Sequence, residues 1–108
     1  MKLMTKQLEA KLPKFGGIAE VENPTVVAHF FNPCGAGDWY VLEGERQDNG
    51  DVIFYGYVKS MISPMFDEFG TFTLSELEGL ELPFGLGIER DIHWSERTLN
   101  ELLKELIR

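Results

Sequence analysis

The chain has 108 residues, 44% of them hydrophobic, with eight Phe, three Tyr and two Trp. That is one domain's worth of sequence, 1–108, with ample material for a core, and it argues against disorder. A net charge of −8, from 18 carboxylates against 10 Lys and Arg, disfavours a generic nucleic-acid binder, which needs clustered basic residues.

The charge is uneven. Residues 1–14 carry four Lys and one Glu, net +3, which leaves −11 on residues 15–108. The stretch "MTKQLEAKLPKF" predicts a short helix with Thr5 as N-cap, Met4, Leu8 and Leu12 on one face, and Pro13 as the stop. It lacks the apolar core of a signal peptide, and no segment approaches the ~20 apolar residues of a membrane span. Cys34 is the single cysteine, so no internal disulfide or thiolate cluster can form, which fits a reducing cytoplasm.

"GGIAEVENP" (16–24) reads as a surface loop. "TVVAHFFN" (25–32) reads as a strand apolar on both faces, central in a sheet. "WYVLEGE" (39–45) and "VIFYGYVKSM" (52–61) are strands joined by Asn49-Gly50, a tight hairpin signal. "FGTFTL" (69–74) predicts a fourth strand, running into a short helix with Ser75 and Glu78 at capping-box spacing. "LGIERDIHW" (86–94) predicts a fifth strand. "SERTLNELLKELIR" predicts an amphipathic helix bearing Leu99, Leu102, Leu103 and Leu106, capped by Thr98 and Glu101. Clustered strands argue for an α+β fold: a mostly antiparallel sheet of about five strands, packed by the N- and C-terminal helices on one face.

Four stretches, "LMTKQLEAKLP", "DWYVLEGE", "FGTFTLSELEGL" and "PFGLGIERDIHW", together resemble a family of single-domain proteins of unknown function. Its members are encoded by bacterial phages, plasmids and conjugative elements. The resemblance runs over about residues 3–94. It implies one compact domain in a mobile-element setting, such as transfer, replication support or interference with host defence, and supplies no chemistry.

Strand alternation places Arg90 in an apolar row with Leu86, Ile88, Ile92 and Trp94, and Glu43 in a row with Trp39 and Val41. A buried charge needs a partner, so an Arg90–Glu43 pair across neighbouring strands is expected. The same residues, with Tyr55 and Tyr57 sharing a face, form the candidate ligand site. Glu89, Asp91 and His93 fall on the opposite face of the last strand. Glu89 and Asp91, joined by Glu43 or Glu68, are the candidate metal ligands of an alternative reading, a small metal-assisted hydrolase. Capture of a nucleotide-like anion by Arg90 beneath the tyrosine pair is a further alternative. His29 reads as a hydrogen-bonded core residue, and two His with one Cys make a zinc site improbable. No cofactor is implied. The leading expectation is an acidic, non-enzymatic interaction or ligand-binding domain with a protein partner.

Overall fold

The computed structural model describes residues 2–107. Three helices and seven strands follow one another as α1 (Lys6–Lys11), β1 (Thr25–Val26), β2 (Ala28–Phe31), β3 (Asp38–Arg46), β4 (Val52–Lys59), β5 (Glu68–Thr73), α2 (Leu74–Gly79), β6 (Glu89–Arg90), β7 (Arg97–Thr98) and α3 (Leu99–Leu106). Single 3-10 turns occupy Pro64–Phe66 and Pro83–Gly85. The fold is α+β. A five-stranded sheet in the order β5-β4-β3-β2-β6 is antiparallel throughout, and β1 pairs with β7 in a separate two-stranded ribbon.

Local chemistry sets the element ends. The Thr5 hydroxyl accepts from the Leu8 N–H at the start of α1, as its position before the apolar stripe predicts. Thr98 and Glu101 form a full capping box on α3. Gly50, at φ 88°, makes the β3–β4 hairpin turn. On α2 the cap is Thr73, which accepts from the Glu76 N–H, rather than Ser75. Ser75 instead donates to Asp51 at 2.5 Å and ties the helix to the hairpin.

The helices do not share one face of the sheet. Leu8 of α1 and Leu74 and Leu77 of α2 join Ala28, Phe30, Trp39, Val41, Phe54 and Phe72 in the larger core. Leu102 of α3 joins Val26, Tyr40 and Leu42 on the other side. The sheet is therefore the middle layer of three. A leucine stripe shows that a helix has a buried side but not which sheet face receives it.

The 25–32 segment splits at Val27, whose N–H donates to the Val41 carbonyl while β1 leaves the sheet to pair with β7. The 86–94 segment is a strand only over Glu89–Arg90. Asp91 ends it: its carboxylate accepts from the His93 N–H at 3.0 Å and its carbonyl from the Trp94 N–H at 3.2 Å.

Candidate functional site

The expected Arg90–Glu43 pair does not form, because the two residues lie on opposite faces of the sheet. Arg90 stands opposite Phe30, and Phe30 opposite Trp39, so all three belong to the face covered by α1 and α2. A β-bulge in β3 separates the Val41–Gly56 pair from the Glu43–Tyr55 pair. The extra residue, Leu42, shifts the alternation, so Glu43 points with Leu42 and Tyr55 to the α3 face instead of with Trp39 and Val41. Strand β2 also separates their strands. Arg90 lines a cleft with Thr5, Leu8, Lys11 and Glu96. The apolar row ends with it: Ile88 is buried, Ile92 is exposed, and Trp94 packs on the far face. Capture of an anion between Arg90 and the tyrosine pair fails for the same reason.

Glu43 and Tyr55 do come together. Both line a groove of about 360 Å3 between β3–β4, the 16–24 segment and the start of α3. Ile18, Val21, Leu42 and Leu99 supply apolar walls, Phe69 of β5 an aromatic edge, and Glu22 stands exposed among the lining residues. Glu43 is only 6% exposed, and among the described residues its Oε2 is buried without a hydrogen-bond partner. Tyr57 shares the face but belongs to the next row. There His29, Tyr40, Tyr57 and Phe69 lie directly opposite one another across β2, β3, β4 and β5. His29 stacks on Tyr40 at 4.6 Å and 7°, and Tyr57 meets Phe69 at 5.0 Å.

At the β2 end of that row lies an arrangement the sequence reading missed. The His29 Nε2 is 2.7 Å from Asp38 Oδ1 and its Nδ1 is 3.2 Å from Asp91 Oδ2. The ring lies between the two carboxylates, so Asp91 serves as a structural tie. Burial, reinforced by the charge of Asp38, pushes the Tyr40 phenol above its ordinary range, so it remains a neutral ring in the stack. Trp94 closes over this edge, donating from Nε1 to the Val26 carbonyl at 2.9 Å, with the Arg97 guanidinium 4.0 Å from its ring centroid. Glu89, Asp91, Glu43 and Glu68 are not brought together. Among the described residues no group of three His, Cys, Asp or Glu is placed to hold a metal ion.

A second surface gathers at one end of the sheet. The 60–67 loop exposes Ile62 and Met65, at 84% and 80%, together with Phe66. The 83–86 turn exposes Phe84 at 96%, in the left-handed region at φ 64°. Both segments adjoin the 32–37 turn: Met61 closes on Gly37, and Cys34 Sγ lies 3.8 Å from the Pro83 carbonyl. Beneath the 60–67 loop, Trp39, Phe66 and Phe72 line a groove with the carboxylate residues Glu68 and Glu76. "SMISPMF" and "PFG" carry this surface in the sequence as apolar residues inside turn-rich segments.

Among the described residues, no helix is long and apolar enough to cross a membrane. No curated protein and no solved structure matches the chain. A family model described as a protein of unknown function (DUF2958) matches residues 3–105, and the chain belongs to that family.

Proposed function

We propose that the protein is a small, non-catalytic interaction domain whose acidic, apolar-tipped end receives a basic segment of a protein partner. The observation that carries this reading is the exposure of Ile62, Met65, Phe66 and Phe84 on two segments that both border the 32–37 turn, with Phe84 held outward in a strained left-handed conformation. Large exposed apolar side chains near charge at one end of a sheet are the pattern of a protein contact, and large anchors such as Phe dominate binding energy. Glu68 and Glu76 beside the groove, on a chain of net charge −8, favour Lys and Arg in the partner.

The resemblance to proteins of phages, plasmids and conjugative elements supports a setting in which that partner is host machinery or a host defence component. The single exposed Cys34 supports a reducing cytoplasm. The test is affinity capture from bacterial lysate with the wild-type chain and with a Met65→Ser/Phe84→Ser variant of unchanged circular dichroism. Basic proteins retained by the wild type, released by salt and lost from the variant are expected. Capture that is indifferent to both substitutions refutes the reading.

A further inference from the structure

We infer that the groove over Glu43 is a second binding site, and that it takes a small organic ammonium ion carrying an apolar body. The argument starts from what the fold does with a carboxylate. Glu43 is 94% buried in the middle of a nine-residue strand, and the β-bulge at Leu42 turns it into the groove. A buried carboxylate normally has its oxygens bonded to donors, and an oxygen left without one costs more than a bond gained elsewhere returns. Oε2 has no such donor among the described residues, although Arg46 lies only three positions along and is already committed to Glu9 and the Gly50 carbonyl.

The surroundings select the missing donor. No Lys, Arg or His lines the groove; its charged residues are Glu43 and Glu22, so an anion is repelled and a cation attracted. Tyr55 and Phe69 flank the site, and aromatic faces beside a carboxylate are the usual surroundings of a bound ammonium group. Ile18, Val21, Leu42 and Leu99 complete the wall, so the rest of the ligand is apolar. A volume of about 360 Å3 lies at the small end of ligand pockets. The ammonium head would donate to Glu43 while its body covers the leucines. This site lies on the α3 face, whereas the protein-contact groove of Trp39 and Phe72 lies on the α1 face, so each stands without the other.

The probe is 2-phenylethylammonium chloride, titrated into the full chain and followed by amide shifts in two-dimensional NMR. 2-Phenylethanol is the neutral comparison of the same skeleton. Saturable shifts at Glu43, Tyr55 and Leu99 are expected, with the alcohol binding at least tenfold more weakly. Glu43→Gln is expected to weaken the amine at least tenfold and leave the alcohol unchanged. Absence of saturable shifts, equal affinity for amine and alcohol, or wild-type affinity in Glu43→Gln each overturns the proposal. If Glu43→Gln does not fold, the amine–alcohol comparison in the wild type decides alone. A capped Leu-Lys-Leu peptide that binds more tightly than the free amine overturns assignment to a small molecule.

Discussion

Replacing Glu43 by Met should make the protein more stable. The side chain is 6% exposed, and its Oε2 is buried without a hydrogen-bond partner among the described residues. Burying an unsatisfied polar group costs about 1–3 kcal/mol, and more when it is charged. Methionine has nearly the same length and lies against Leu42, Leu99 and Tyr55 with no polar atom to satisfy, so the penalty disappears and apolar contact is added. Allowing for imperfect fit, the gain is about 1–2 kcal/mol, which for a domain of this size raises Tm by roughly 5–10 °C. Thermal unfolding followed by far-UV circular dichroism, with urea midpoints at pH 7 as a second measure, reads the effect. A Tm equal to or below wild type would mean that Glu43 has a donor inside the fold. The further site would fall with it, since the groove's affinity for a cation rests on that unmet carboxylate.

Four other substitutions probe the frame around the site. His29→Leu leaves Asp38 and Asp91 facing an apolar side chain and should cost about 2–3 kcal/mol in urea unfolding; a loss below about 0.5 kcal/mol would show that the ring bonds contribute little. Gly56→Ala would drive a Cβ into the Tyr40 carbonyl across the β3–β4 ladder, a backbone contact that cannot yield, and should cost more than about 3 kcal/mol or abolish soluble expression; near-wild-type stability would refute the close approach. Phe84→Gly releases a left-handed φ at a side chain without cover and should stabilise by about 0.5–1 kcal/mol, measured by Tm, whereas any loss of stability would mean that the ring packs in solution. Asp51 is held below its ordinary value by the Ser75 hydroxyl and by backbone N–H groups of Val52 and Ser75. Its folded-state value thus lies below the unfolded one, so its contribution is present above about pH 4 and is lost as the pH falls through the folded value. Asp51→Asn should flatten the drop in urea midpoint between pH 7 and pH 3, and parallel profiles would refute the assignment.

How much of this was legible in the sequence depended on the range of the interactions involved. Thr5, Thr98 and Asn49-Gly50 act through their own or adjacent turns, so residue type alone placed two helix starts and the hairpin. The bulge at Leu42 has no such signature: "VLEGE" reads as unbroken alternation, and a single extra residue sends Glu43 to the other face. The Arg90–Glu43 pair failed at that point. Asp91 did carry a local sign, an Asp two positions before the N–H it caps, which should have ended the strand at Arg90. Its bond to His29 spans 62 residues, and no local pattern contains it. Tyr55 and Tyr57 were readable as one face because β4 is regular, yet which of them would border the groove depended on β3 across the ladder.

The bulge also bears on why a costly carboxylate sits where it does. In an unbulged strand, side chains alternate across the sheet, so a charge placed next to Leu42 would point into the α1 face, among Val41, Phe54 and Leu12. The bulge spares that core and places two successive residues, Leu42 and Glu43, on the α3 face. That face is covered less completely. Helix α3 spans eight residues and buries Leu102 beside Tyr40 and Val26, while Leu99, Tyr55 and Phe69 are left at the border of the groove. Strand β5 then contributes to two surfaces at once: Phe69 lines the Glu43 groove, while Glu68 and Phe72 line the groove under the 60–67 loop. An edge strand with one unpaired side is the cheapest place in a sheet to set such divided duties, because its residues are constrained by a single neighbour. Substitutions on the two faces of β5 should therefore act independently, with Phe69→Ala impairing only amine binding and Glu68→Lys impairing only capture of a basic partner. Loss of both activities from either substitution would mean that the grooves form one surface and that the two-site description is wrong.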